Sequence, residues 1–434
     1  MQAVILAGGK GRRLGKLSQK LPKSLIKIGD KPLIEHQILL LKRYNINNIW
    51  ILTGYLSEQI ERFCGNGKKW GVQIHHLIEE SPLGTAGALK ALENKINKDF
   101  MVISGDVMFD IDIKRFISFH RKNKKAWATI IVHPNDHPFD SDLVEVDDKD
   151  QVTSFLIRKG KTQPKNLLFR NLTIASAFIF CPKIFGYIGK NERSDLEKDI
   201  FPRILKSGGK LYACKTSEYI KDIGTPERLR KTRSDYRSGT ISRLNKKNIR
   251  RAIFLDRDGV INDNVHNFKK IDDFKLFSFS PKAIRKINDR EYLAIVITNQ
   301  PAIAKGLLTL EELDLIHKKL ETELGWSGAK LDAIYYCPHH PERGFEGEVP
   351  QLKISCNCRK PKTGLIKKAV SDFNINLKKS FLIGDSTLDA KTAEEAGVKF
   401  IGVRTGYGVS DKKYKVRNFK MAKNLFSAVN YILN

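Results

Sequence analysis

Two aspartates, spaced two residues apart where an apolar run ends, carry the clearest chemical signal in this sequence: Ala252 to Leu255 leads into Asp256-Arg257-Asp258-Gly259. Side chains at i and i+2 of an extended strand face the same way. One carboxylate can therefore attack a phosphorus while the other handles the leaving group's proton. The same D-x-D-G would also suit a calcium loop, but the remaining EF-hand ligand spacing is missing. Later apolar runs end in Thr298-Asn299-Gln300 and in Gly384-Asp385-Ser386-Thr387-Leu388-Asp389, and Arg359-Lys360-Pro361 lies between them. Cys337-Pro338-His339-His340 and Cys356-Asn357-Cys358 read as C-x-H and C-x-C, four soft donors able to close a tetrahedron around Zn²⁺. A closed site of that kind is structural, and it would stiffen the loop 337–358 that runs into Arg359 and Lys360.

A second set of candidates lies near the start of the chain. Leu6-Ala7-Gly8-Gly9-Lys10-Gly11-Arg12-Arg13-Leu14 follows an apolar run, and Pro22-Lys23 comes next. Successive glycines let backbone N–H groups approach a polyphosphate, while Arg13 and Lys23 can offset charge growing at a reacting phosphorus. Taken alone, this is neither the G-x-G-x-x-G nor the Walker A pattern, and a plain strand-to-helix turn explains it equally well. Pro82-Leu83-Gly84-Thr85-Ala86-Gly87-Ala88-Leu89 is a second small-residue loop, suited to the close approach of a flat base. Ser104-Gly105-Asp106 puts a carboxylate where a strand ends, and Lys221-Asp222-Ile223-Gly224-Thr225-Pro226 supplies another. Asp106 and Asp222 can share one Mg²⁺ only if the fold brings them together.

The elements that must position these groups alternate. Ala3 to Leu6, Ile49 to Thr53, Met101 to Ser104 and Trp127 to Val132 are strand-like, and Leu33 to Arg43 repeats apolar residues at helical spacing. That alternation predicts an α/β sheet, largely parallel. From Arg228 to Arg251 the pattern lapses into a run with ten basic residues and one acidic residue, whose start reads as a last helix and the remainder as a linker. A second βα series takes in Ala252 to Leu255, Leu293 to Thr298, Leu331 to Tyr336, Phe381 to Ile383 and Phe400 to Val403. The expected organisation is α/β with two tandem domains, 1–230 and 250–434, joined by a basic linker at 231–249.

Taken together, GGxGxRL, PK, LGTAGAL, GD and DIGTP resemble the sugar-1-phosphate nucleotidyltransferase family over roughly residues 2 to 228. The resemblance implies a Rossmann-like sheet that couples a nucleoside triphosphate to a sugar 1-phosphate and releases pyrophosphate. It implies that Gly8, Gly9 and Gly11 cradle the triphosphate, that Arg13 and Lys23 stabilise the pentacoordinate phosphorus, that Gly84 and Thr85 lie near the base, and that Asp106 and Asp222 hold Mg²⁺. Ile174-Ala175-Ser176 stands where common hexose enzymes have N-A-G, and Leu156-Ile157-Arg158-Lys159 replaces an acidic-Lys-Pro segment. An unusual sugar is therefore expected.

The four stations of the second domain resemble the haloacid dehalogenase (HAD) superfamily, also a Rossmann-like fold. That resemblance implies an aspartyl-phosphate on Asp256 and proton transfer by Asp258. It implies phosphate binding by Thr298, Asn299, Arg359 and Lys360, and Mg²⁺ held by Asp256, Asp385 and the main chain of Asp258, with Asp389 behind them. The zinc loop, with Cys337, His339, Cys356 and Cys358 as ligands in preference to His340, resembles the branch that holds heptose-1,7-bisphosphate 7-phosphatases and histidinol phosphatases. Thr298-Asn299-Gln300 and the C-x-C-R-K-P join favour the heptose enzymes, although the stretch 264–267 does not reproduce their substrate contacts. A 7-phosphatase leaves an anomeric phosphate, which a nucleotidyltransferase needs. The implied substrates are thus heptose phosphates and GTP, the base resting on pathway resemblance. A hexose-1-phosphate nucleotidyltransferase joined to a phosphatase of other specificity is the alternative.

Composition limits the remaining classes. The chain has 434 residues, six cysteines and a formal charge of +29, from 77 Lys+Arg against 48 Asp+Glu. So few thiols exclude a disulfide scaffold. The longest apolar runs are far short of the roughly 20 residues that span a bilayer, and the apolar N-terminal run has no basic leader before it, so no membrane partner and a cytoplasmic location are expected. The charge would suit a nucleic-acid binder, but it is widely spread and no RNP, zinc-finger or basic-zipper pattern accompanies it, so no nucleic-acid partner is expected. A homo-oligomer is allowed.

Overall fold

The computed structural model describes every residue except 159–163, 165 and 264–270. Lys159 and the stretch 264–267, singled out above, lie outside the described residues. The chain forms two compact units. Unit 1 comprises 1–133, 142–158 and 172–245, and unit 2 comprises 134–141, 159–171 and 246–434. Two short stretches of the N-terminal half are thus built into the second unit.

In unit 1 the strands β1 (Gln2–Leu6), β2 (Asn48–Thr53), β3 (Gln73–Ile78) and β4 (Phe100–Ser104) lie in the order 3-2-1-4, all parallel. Val107–Asp110 (β5) turns off this sheet, Ala126–His133 (β6), Leu143–Val146 (β7) and Val152–Leu156 (β8) follow, and Thr173–Phe180 (β9) runs antiparallel to β4, β6 and β7. Lys210–Lys215 (β10) pairs parallel with β6, and Tyr219–Asp222 (β11) pairs antiparallel with β5. The sheet is therefore mixed, parallel in its first half, antiparallel around β9 and parallel again between β6 and β10, where a largely parallel one was expected. The sequence pattern is blind to this, because strands buried on both faces look alike in either direction. Alternate residues feed opposite cores: Ala3, Ile5, Met101 and Ile103 on one face, Val4, Phe100 and Val102 on the other.

The basic segment also differs from its reading. Pro226–Arg237 is a continuous helix, capped by Thr225, and Thr240–Arg243 is a short second one, so most of 231–249 is helical and belongs to unit 1. The helix Pro226–Arg237 buries only a narrow stripe of Leu229, Thr232 and Asp235.

In unit 2, Ala252–Leu255 (β12), Leu293–Asn299 (β13), Ala333–Cys337 (β14), Phe381–Gly384 (β15), Lys399–Val403 (β16) and Lys420–Ala422 (β17) form one parallel sheet in the order 14-13-12-15-16-17. Ile253 and Leu255 pack on one core, Ala252 and Phe254 on the other. The longest helix described, Leu310–Trp326 (α1), opens with a capping box between Thr309 and Glu312. Among the described residues no helix is long and apolar enough to cross a membrane.

Phe100 is wholly buried and lies 5.4 Å from Phe185 and 5.8 Å from Phe180, ring centre to ring centre. Phe100→Ala is expected to lower the stability of unit 1 by about 3–5 kcal/mol, read as a lower urea midpoint for the unfolding of that unit.

Candidate active sites

The parallel half of the first sheet ends at a cavity of about 300 Å³, whose lining includes Gly8, Gly9, Lys23, Gly84, Thr85 and Asp106. Ligand sites of open α/β sheets lie at this end of the strands. Gly84 has φ +79°, and a Cβ there would come within 2.3 Å of the Ser194 carbonyl, so the loop Pro82–Thr85 depends on its having no side chain. Gly11, at φ +66°, lies against the Lys23 stem in the same way.

Lys23 Nζ is 2.7 Å from Asp106 Oδ2, and the Ser104 hydroxyl donates to Asp106 Oδ1 at 2.8 Å. Burial alone would raise the Asp106 carboxyl, but Lys23, the Ser104 hydroxyl and the charge of Arg13 hold it below the usual carboxylate range. The pairing of β11 with β5 sets Asp222 opposite Val107, and the Ile223 N–H donates to the Asp106 carbonyl at 3.0 Å. The fold thus brings the two distant aspartates to adjacent positions. Asp222 is held by Arg228 at 2.6 Å and by the Gly224 N–H at 3.0 Å, and the Arg13 guanidinium lies over Gly224.

Glu79, just beyond β3, also lines the cavity and was not singled out from the sequence. Burial raises its carboxyl, and its Oε1 accepts from the Leu83 N–H at 3.4 Å. A carboxylate where a strand ends, directly before the small-residue loop, was the signal available.

In unit 2 the ends of β12, β13 and β15 converge. Lys360, buried, lies 2.9 Å from Asp256 and 2.6 Å from Asp389. Carboxylate oxygens of Asp256, Asp385 and Asp389 lie within 4.8 Å of one another. Burial and the charge of Asp389 push Asp256 up to about 7; burial and the charges of Asp256 and Asp389 push Asp385 up to about 8. Burial opposes the charge of Lys360, yet Asp256 and Asp389 hold it above the ordinary lysine value. Three carboxylates around one ammonium leave an excess of negative charge that a divalent cation would relieve.

The contacts of Asp389, Asp258, Asn299, Arg359 and Thr298 bear on their expected roles. Asp389 joins the carboxylate cluster, and the side chain of Asp258 does not. Both Asp258 oxygens are bonded by Arg257, at 2.9 Å each, and further by Asn262 and Gln300. Burial works against the Asp258 charge, but Arg257, Asn262 and Gln300 keep its carboxyl below the usual range. Asn299 uses its amide on the main chain of Lys360, accepting at 3.0 Å and donating at 3.2 Å, so it fixes the lysine. Arg359 donates to the His339 carbonyl at 3.2 Å. Thr298 is buried and accepts from Gln300 at 3.0 Å.

Cys337, His339, Cys356 and Cys358 come together. Sγ–Sγ separations run from 3.2 to 3.5 Å, and His339 Nδ1 is 3.3 Å from Cys358 Sγ. All of these thiols are free, and the set fits one tetrahedral ion. His340 turns instead toward Glu342.

Because Gly84 has no room for a methyl group, Gly84→Ala is expected to displace the Pro82–Thr85 loop. Nucleotide affinity, measured by calorimetry, should fall at least tenfold while the unfolding transition of unit 2 stays unchanged.

Comparison with known proteins agrees with this geometry. The nucleotidyl transferase family model matches residues 2–239, and a HAD-hydrolase-like model matches residues 357–426. A D-glycero-beta-D-manno-heptose-1,7-bisphosphate 7-phosphatase of Haemophilus ducreyi is 39% identical over 163 residues, 37% of this chain and 87% of that protein. The corresponding alpha-heptose enzyme of Photorhabdus laumondii is 36% identical over 178 residues, 41% of this chain and 93% of that protein. A mannose-1-phosphate guanylyltransferase of Mycobacterium tuberculosis is 30% identical over 229 residues, 52% of this chain and 62% of that protein. The chain therefore belongs to the nucleotidyl transferase family through residues 2–239 and, through its C-terminal half, to the family of the heptose-1,7-bisphosphate 7-phosphatases.

Proposed function

We propose that this protein carries out two consecutive steps of nucleotide-sugar synthesis, first removing the 7-phosphate of D-glycero-D-manno-heptose 1,7-bisphosphate and then joining the resulting heptose 1-phosphate to GMP. The observation that carries this reading is the presence, on one chain, of a phosphatase family whose reaction leaves an anomeric phosphate and a transferase family whose reaction consumes one.

In the phosphatase, an Asp256 oxygen attacks the phosphorus of the 7-phosphate, and the bond from phosphorus to the sugar oxygen breaks. Asp258 gives that oxygen its proton and afterwards takes one from the water that hydrolyses the aspartyl-phosphate. Arg257 keeps Asp258 ionised, which suits the second half of the cycle; the negative charge of a bound phosphomonoester would raise it for the first. Lys360 and Thr298 receive phosphoryl oxygens. Asp256 and Asp385, with the main-chain carbonyl of Asp258, would hold Mg²⁺, which when bound neutralises the phosphoryl group against the buried carboxylates. Zn²⁺, held by Cys337, His339, Cys356 and Cys358, would stiffen the loop running into Lys360.

In the transferase, an oxygen of heptose 1-phosphate attacks the α-phosphorus of GTP, the α–β anhydride breaks and pyrophosphate leaves. Gly8, Gly9 and Gly11 bring main-chain N–H groups to the triphosphate, and Lys23 and Arg13 offset the charge on the α-phosphoryl oxygens. Asp106 and Asp222 would hold Mg²⁺. Glu79 supports GTP as the donor: a carboxylate can accept from both N1–H and the 2-amino group of guanine, whereas uracil offers a single N–H and adenine sets a lone pair against it. Free thiols at the proposed zinc site support a reducing, cytoplasmic setting.

Asp256→Asn should abolish phosphate release while sparing GMP transfer to supplied heptose 1-phosphate, and Asp106→Ala should do the reverse. Loss of both activities in either variant would contradict two separate sites. Glu79→Gln is expected to lower kcat/KM for GTP by about 10- to 100-fold with little loss for UTP, since one carboxylate hydrogen bond becomes a donor facing a donor.

A further inference from the structure

Arg257 sits between the two proposed catalytic aspartates and is wholly buried. Its guanidinium is a fork: Nε and Nη2 bond the two oxygens of Asp258, and Nη1 lies 3.3 Å from Nε2 of His317. His317 comes from α1 and is itself 1% exposed. Burial and the charges of Arg170 and Arg257 push its imidazole well below the ordinary histidine value, so the ring is neutral and offers one acceptor nitrogen.

The same helix carries a docked stretch of the N-terminal half. Phe169 is fully buried; its N–H donates to the Thr322 hydroxyl at 3.0 Å, and that hydroxyl donates back to the Phe169 carbonyl at 3.4 Å. Arg170 then reaches along α1, bonding Asp314 at 2.7 and 3.1 Å, lying 3.5 Å from Glu321 and passing 3.5 Å from Nδ1 of His317. Burial and the charges of Arg170 and Arg257 keep a second proton off the imidazole, which leaves one acceptor nitrogen between the two guanidiniums. With that proton present, Nε2 would become a donor facing the donor Nη1 of Arg257.

We propose that Arg170 is a positioning residue for the phosphatase: through His317 and Arg257 it holds the Asp258 carboxyl group where, once protonated, it can give its proton to the departing oxygen. A residue lying in the stretch matched to the transferase family, but built into unit 2, thereby serves the chemistry of that unit. The inference rests on the proposed role of Asp258 and deepens it.

The test uses the full-length protein and compares an alkyl phosphate, whose leaving oxygen needs a proton, with p-nitrophenyl phosphate, whose leaving group departs without one. Values of kcat/KM isolate the step in which the phosphoryl group moves to Asp256. Arg170→Ala is expected to lose about tenfold or more on heptose 1,7-bisphosphate and on glycerol phosphate, and less than about twofold on the aryl ester. Arg170→Lys should recover most of the loss. Equal losses on alkyl and aryl esters, or no loss on the alkyl esters, would overturn the proposal. Should Arg170→Ala lose its cooperative melting transition, His317→Gln and His317→Leu decide. Glutamine keeps an acceptor for Arg257 and should retain the alkyl activity, leucine should show the selective loss, and equal behaviour of the two would overturn the proposal. Failure of the unmodified protein to hydrolyse the heptose bisphosphate would sink the substrate reading alone, because glycerol phosphate still reports on Asp258.

Discussion

Asp256 and Lys360 lie 2.9 Å apart at the carboxyl end of the central strand of their sheet, with Asp389 2.6 Å from the same ammonium. Each carboxylate would be costly there without the lysine, and the lysine would be costly without them. The surrounding structure serves this balance. Asn299 clamps the main chain of Lys360, the Ser386 hydroxyl donates to Asp389 at 2.5 Å, and the Tyr407 N–H donates to Asp385 at 2.8 Å. Unit 1 meets a similar demand with Lys23 and Asp106, 2.7 Å apart beyond the end of β4. In both sites a lysine from a distant loop is paired with a carboxylate at the carboxyl end of the sheet.

Much of this was readable from residue order. The strands that carry Gly8, Asp106, Asp256, Thr298 and Asp385 announce themselves as short apolar runs, and the chemistry follows each run directly. Side-chain direction was harder. Nothing in the order Asp385-Ser386-Thr387-Leu388-Asp389 tells that the first turn of a helix would carry Asp389 back onto Lys360, or that Arg257 would occupy both oxygens of Asp258. Asn299 was equally opaque, because an amide where a strand ends can as easily bond a neighbouring main chain.

The helix Pro226–Arg237 was hidden by its composition. Its buried stripe is three residues wide, and two of the three are polar, so apolar periodicity is faint even though the Thr225 cap is good. Direction in the first sheet was hidden for another reason: β9 alternates its burial between two cores much as a parallel strand would. Glu79 escaped notice because a single carboxylate at a strand end has no partner in sequence to mark it.

The second unit is sewn from three pieces of chain, and two of them precede β9. Phe139 stacks on Trp326, Phe139 and Phe169 meet edge to face, and Phe169 is sealed under Thr322. Dividing the polypeptide at residue 245 would consequently not yield two finished proteins. The later fragment would be born with a bare tryptophan and an empty aromatic socket, so a gene encoding the halves separately would have to replace those plugs before the hydrolase could stand alone.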